Sequence, residues 1–341
     1  MNKIEYFNNC DETYLQYLGL RDENFKETQK CKDYNDKWEN LQNSNSRLKK
    51  IFPMKFDELL ICSYERLVDS FIAFENEFPS ICILLKTEIN NLKFFNYGSF
   101  KEKIASFFIN NANKMNITSC YYCDAAYTGI YKYIKEKKRT FDVDHFFPNA
   151  QYPFFSLCLY NFVPSCQVCN SRVKGSKKFF DLYNLKDSDQ QKLKEALLEI
   201  SPISKSYNIS KHLNICVQPK MDTSDDKFKW HCHPEFYKNL NSYKVHFDID
   251  ESTNYKKAIE AFRLEDRYNN IGIKSQALYL MDLKKKYPDS NIESLRKLLS
   301  EKGMSFEEIK RDIFHKDNKL DLLRKMKDDI IDSDIFDSLV E

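Results

Sequence analysis

The chain has 341 residues, 42% hydrophobic and 15% aromatic, which is enough apolar material for a substantial core and enough length for two or three domains. A formal charge of +2 excludes a globally polycationic protein, and no stretch approaches the ~20 apolar residues that a membrane-crossing helix needs. The cysteines number eleven, an odd total, and Lys3, Glu5, Asp11 and Glu12 interrupt the first segment, so the expected setting is reducing and cytoplasmic.

Residues 1–112 read as a helical region. Glu27 to Lys50 is polar and rich in Asn and Lys, either a solvent-facing helix or a loose connection. Beyond it Phe56, Leu59, Leu60, Leu67, Phe71 and Phe74 recur at helical spacing, and Pro79 is expected to close that helix. A further helix is predicted over Ile81–Leu92. Another is predicted from Ser99, where Ser99-Phe-Lys-Glu102 has the form of a capping box. The aromatic stripe belongs to a core and receives no chemistry.

The stretch from Cys120 to Gly175 organises the chain. Two Cys-x-x-Cys pairs, Cys120/Cys123 and Cys166/Cys169, stand 42 residues apart, and paired knuckles of this kind present four thiolates to one tetrahedral metal. Four ordinary buried cysteines are the bland alternative. Between the pairs, Phe141 and Val143 alternate with Asp142 and Asp144, as in a half-buried strand over Arg139–Asp144. Thr128–Ile134 is the expected partner strand, with Lys135–Lys138 as the turn. Such a hairpin delivers Asp144 and His145 at its end, and a helix is expected to open at Asn170.

These residue types suit phosphodiester hydrolysis. An imidazole accepts a proton near neutral pH, and a neighbouring carboxylate can hold a hard cation against a phosphate. Asn170 and Lys174, four apart, share a helical face. Residues 113–185 carry ten Lys/Arg against five Asp/Glu, a local balance of +5, which fits backbone binding through Arg172, Lys174, Lys177 and Lys178 or else a merely solvated face.

Downstream, a capping box at Ser188 and Gln191 predicts a helix to about Ile200, and 201–225 reads as loop with short extended pieces. His231-Cys232-His233 suggests a second metal site. Alternation, however, puts Cys232 on the face opposite the two histidines, so Phe228–Pro234 is read as a strand paired with Tyr243–Asp250. The remainder is helical, with capping boxes at Ser290/Glu293 and Ser305/Glu308.

The Cys120–Gly175 motif resembles the HNH, or ββα-metal, endonucleases, and in particular the zinc-knuckle branch similar to recombination endonuclease VII. That resemblance implies structural zinc on Cys120, Cys123, Cys166 and Cys169, His145 as general base, Asp144 and Asn170 as Mg²⁺ or Mn²⁺ ligands, and Asn161 holding the histidine loop. The commonest family pattern has His where this chain has Asn170, whereas the endonuclease VII-like branch uses Asn. The helical flanks are similar, in layout alone, to HNH nucleases of bacterial anti-phage systems, which implies DNA as substrate and an ATPase as partner. The expected fold is α+β: a small zinc-stabilised ββα-metal core at 113–185 between helical regions at 1–112 and 186–341, the last with a short strand pair. A silent zinc-containing nucleic-acid-binding module and a partner-docking subunit are the alternatives.

Overall fold

The computed structural model describes residues 3–91, 95–134, 136–175, 177–186, 188–220, 236–299, 303–314 and 323–333, with backbone alone for 78–91. It mixes helices with small antiparallel sheets and divides into two compact units. Residues up to 122 and 126–208 form one; residues from 209 onward, with 123–125, form the other.

The first unit opens with helices α1 (Cys10–Leu18), α2 (Gln29–Ser44), α3 (Ser46–Ile51), α4 (Phe56–Leu60), α5 (Tyr64–Asn91) and α6 (Tyr97–Asn111). Strands β1 (Ile130–Tyr133), β2 (Glu136–Arg139), β3 (Asp142–His145) and β4 (Phe162–Ser165) follow. A helical segment at Val168–Lys174, then α7 (Phe179–Tyr183) and α8 (Gln190–Ile200), complete it.

Its core is aromatic. The loop between β3 and β4 buries Phe146, Phe147, Tyr152, Phe154 and Phe155. Phe71 of α5 stacks on Phe147 with centroids 4.3 Å apart, and Trp38 of α2 lies 6.1 Å from Phe154. Each such ring contributes about 1.5–3 kcal/mol by leaving water. The N-terminal helices therefore clamp the loop that leads away from His145, and Tyr14 Oη adds a hydrogen bond to Leu157 O at 2.7 Å.

Several local expectations change. The polar stretch at 27–50 is helical, as α2 and α3, because Trp38, Leu48 and Ile51 give it a buried face. α5 continues past Pro79, since the helix is long enough on both sides to tolerate one lost hydrogen bond. α6 starts at Tyr97, capped by Asn96, whose side chain accepts from Gly98 N at 2.9 Å. α8 is likewise capped by Asp189, which accepts from Lys192 N.

The strand pairing changes more. The predicted Arg139–Asp144 strand is two strands: β2 pairs with β1, while β3 pairs antiparallel with β4, Asp144 opposite Val163 and His145 opposite Phe162. Burial explains the exchange. β1 and β2 are almost wholly exposed, whereas Val143 needs an apolar neighbour and β4 is buried throughout. Pro164 hid β4 in the sequence, because proline is normally excluded from a central strand; in a two-stranded sheet every strand is an edge.

The second unit contains α9 (Ile209–His212), β5 (Leu213–Pro219), β6 (Tyr243–Ile249), α10 (Tyr255–Ala261), α11 (Leu264–Tyr268), α12 (Ile271–Lys286), α13 (Asp289–Leu298), α14 (Phe306–Phe314) and α15 (Arg324–Ile331). β6 pairs with β5. The segment Phe228–Pro234, with His231, Cys232 and His233, lies outside the described residues. α13 begins at Asp289 after Pro288, one residue before the expected Ser290. Ser305 and Glu308 do form a reciprocal box, Glu308 Oε2 accepting from Ser305 N and Ser305 Oγ from Glu308 N. Ile292, Ile309, Phe314 and Ile331 make an apolar cluster. No helix among the described residues is long and apolar enough to cross a membrane.

Candidate active site and cysteine cluster

Cys120, Cys123, Cys166 and Cys169 converge, all buried, with their sulfurs within 4.8 Å of one another. Four sulfurs at Zn–S distances of about 2.3 Å span a tetrahedron with edges of about 3.8 Å, so the cluster suits a metal ion such as zinc. The first knuckle turns at Asp124, which takes a left-handed conformation at φ 53°. In the second, Cys169 N donates toward Cys166 Sγ at 3.4 Å, the backbone-to-sulfur bond that orients a ligand.

An open cleft of about 590 Å³ lies in the first unit, with Asp142, Asp144, His145 and Asn170 in its wall. His145 ends β3, and only 8% of it is exposed. Its ring sits edge-on to Tyr97 at 4.6 Å and beside Phe162 at 4.9 Å. Nε2 lies 2.9 Å from Ser156 O, an arrangement that requires the proton on Nε2 and leaves Nδ1 as the basic nitrogen. Burial pushes the imidazole down to about 4, against the Ser156 carbonyl and Asp144, which favour the cation. At neutral pH the ring is therefore uncharged and able to accept a proton.

Asn161 fixes the loop that carries Ser156. Fully buried, it accepts from Phe147 N at 2.7 Å and donates to Phe147 O at 3.1 Å and Phe155 O at 2.9 Å.

Asp144 is held on one oxygen. Its Oδ2 accepts from Tyr122 Oη at 2.8 Å and Lys174 Nζ at 2.6 Å, and Lys174 also donates to His145 O. This places Lys174 differently from the sequence expectation of a surface phosphate contact: only 3% of it is exposed. The Val168–Lys174 segment is a π-helix, whose wider winding turns Lys174 inward. Gly175 closes it with a Gly175 N to Asn170 O bond of 2.8 Å and φ 50°, where an added Cβ would meet Ser171 O at 3.2 Å. Burial lowers the Lys174 pKa, and Asp144 pulls it back up.

Asn170 Nδ2 donates to Asp142 Oδ2 at 3.0 Å, so its side chain pairs with Asp142. Asp142, Tyr122 and the Ser156 carbonyl are site groups that the sequence reading did not single out. The alternation of Asp142 with Asp144 was a usable signal for the first; nothing local marks the other two. Lys177 is exposed in the cleft wall, while Arg172 and Lys178 are exposed outside it.

Among the described residues no protein donor reaches Asp144 Oδ1, and this oxygen, the Asn170 amide oxygen and the Asp142 carboxylate are among the acceptors of the cleft wall. Oxygen donors of this kind are the type that a hard divalent cation takes. Lys174 pairs with Asp144, and Lys101, Arg139 and Lys177 line the same cleft.

No family model matches the chain, and neither a curated protein nor a solved structure matches it.

Proposed function

We propose that the cleft is the active site of a metal-dependent endonuclease of the HNH type that hydrolyses DNA. The observation that carries this reading is the neutral His145, fixed through Nε2 on Ser156 O with Nδ1 left basic, directly after Asp144 on a strand whose antiparallel partner runs into a short helix. The order strand, strand, helix supports a ββα reading, in which the buried cysteines would be the structural zinc site.

In this mechanism His145 Nδ1 takes a proton from the attacking water, with Tyr97 and Phe162 restricting the ring to one orientation. Asn161 holds the loop so that the Ser156 carbonyl keeps the tautomer. Tyr122 and Lys174 fix Asp144 so that its second oxygen faces the cleft. Asp144 and Asn170, with Asp142 beside them, would hold Mg²⁺ or Mn²⁺, which supplies positive charge against the phosphate and the leaving 3′ oxygen. Lys177 faces the cleft as a backbone contact.

Incubation with supercoiled plasmid tests the reading. Nicked or linear product with 5′-phosphate ends is expected with Mg²⁺ or Mn²⁺ and not without. Inert protein that retains zinc would replace it with a silent nucleic-acid-binding module or a partner-docking subunit. The resemblance further implies a place in anti-phage defence beside an ATPase. Phage challenge of cells expressing the chain with its neighbouring genes should show protection, and no protection would remove that role.

A further inference from the structure

The β1–β2 ribbon is almost wholly exposed, beside α6 and next to the cleft. Of the ten large hydrophobic residues that are exposed among the described residues, four fall between 127 and 134: Tyr127, Tyr131, Tyr133 and Ile134. Tyr131 is 50% exposed and Tyr133 60%. Two residues apart on one strand, they share a face.

The other face is cationic. Its register puts Lys132 opposite Lys137 and Ile130 opposite Arg139. Like charges directly across a ladder destabilise it, and among the described residues neither Lys132 nor Lys137 has an ion-pair partner. Lys138, in contrast, is paired with Glu136 at 2.6 Å. An unbalanced lysine pair is relieved by an anion lying across both. A groove of about 390 Å³ runs there, bounded by Tyr131, Lys132 and Lys137 of the ribbon, by Asn110 of α6 and by Asn113 just beyond it. Arg139, two residues beyond Lys137 on β2, lines the cleft that holds His145. The cationic face thus leads from the groove to the cleft.

We propose that the β1–β2 ribbon is a binding site for an unpaired nucleic-acid strand, with Lys132 and Lys137 on its phosphates and Tyr131 and Tyr133 stacked on its bases. This rests on the nuclease reading for its connection to the cleft, and it narrows the substrate to DNA with single-stranded character. In a duplex each base face is already covered by its neighbours, so exposed tyrosine rings find stacking partners only on unpaired bases. Opposed lysines alone would suit any polyanion; Tyr131 lines the same groove as the lysines, so a strand lying there also meets a ring, and the ring selects the single strand.

The test is fluorescence anisotropy with a labelled oligothymidylate and with a labelled duplex of equal length, in zinc-loaded protein without Mg²⁺ or Mn²⁺. Tyr131→Ala and Tyr133→Ala should each weaken binding to the single strand by about tenfold, while Tyr→Phe at both positions restores it. Lys132→Gln with Lys137→Gln should reduce the slope of log K against log[salt] by about 1.4. Unchanged zinc content and thermal midpoint establish that these exposed substitutions leave the fold intact. The proposal is overturned if the alanine variants bind oligothymidylate as tightly as the parent, if the parent prefers the duplex, or if it binds neither. Tyrosine-dependent binding in a protein that cleaves nothing would retain the ribbon and sink the nuclease reading. Cleavage that is indifferent to the tyrosines and lysines would do the reverse.

Discussion

Lys174 and Asn161 both hold the site, one through charge and one through hydrogen bonds. Removing one member of a buried ion pair leaves the other without compensation, so Lys174→Met is expected to cost about 3–5 kcal/mol. The contact at stake is the 2.6 Å pair with Asp144, and urea unfolding would read the loss. A loss below about 1 kcal/mol would mean that Tyr122 suffices to hold the carboxylate. Asn161→Ala strips Phe147 N, Phe147 O and Phe155 O of their partner, with an expected cost of about 3 kcal/mol or more. Its cleavage rate should fall further than its stability accounts for, because the Ser156 carbonyl moves with the loop. At this scale the sequence was informative about residue type and face. Asp142 and Asp144 alternate, and His145 follows them. It was silent on direction: Lys174 reads as a surface cation at α-helical spacing, and only the π-winding and the partner at Asp144, 30 residues away, turn it inward.

Buried faces were legible where periodicity was long and one-sided, as in the Phe56–Phe74 stripe, although the single helix expected there is divided between α4 and α5; the reciprocal Ser305/Glu308 cap was legible too. The pairing of strands was not. Alternation continues through Thr140 and Phe141, so period two alone does not mark where β2 ends and β3 begins, and Pro164 disguised the true partner. Between elements, Arg21 is a tie. It contacts Glu12 of α1 at 3.0 Å, Cys31 Sγ of α2 at 3.3 Å and Asp57 of α4 at 2.7 Å. Burial alone would raise the Asp57 carboxyl; Arg21 and Asn35 more than offset it and hold it below the ordinary carboxylate value. A depressed folded-state pKa contributes stability that is fully present above the unfolded value of about 3.9 and is lost as pH falls through the folded one. Asp57→Asn is therefore expected to cost about 3 kcal/mol at neutral pH. The difference from wild type should narrow in acid, below about pH 4. A gap that is independent of pH in denaturant titrations would contradict this.

For the whole molecule, the knuckle spacing alone was enough to bring four cysteines together across 42 residues. The division of the described residues at 208 was not legible, because no Gly/Pro-rich linker marks it. Metal analysis should find one zinc per chain, lost in Cys166→Ser with Cys169→Ser. Structural zinc supplies folding energy directly. A loss of about 4 kcal/mol lowers the midpoint of a domain of this size by about 10 °C. An unchanged midpoint after zinc removal would make the cluster dispensable for the fold.

The central claim is that His145 is the base of a hydrolytic site. Its most direct test compares plasmid cleavage by wild type and His145→Ala, matched for zinc content and thermal midpoint, at saturating Mg²⁺. The account predicts that the variant is slower by about 10²–10⁴-fold while still binding DNA. Equal rates, or two inert proteins with zinc in place, would contradict it.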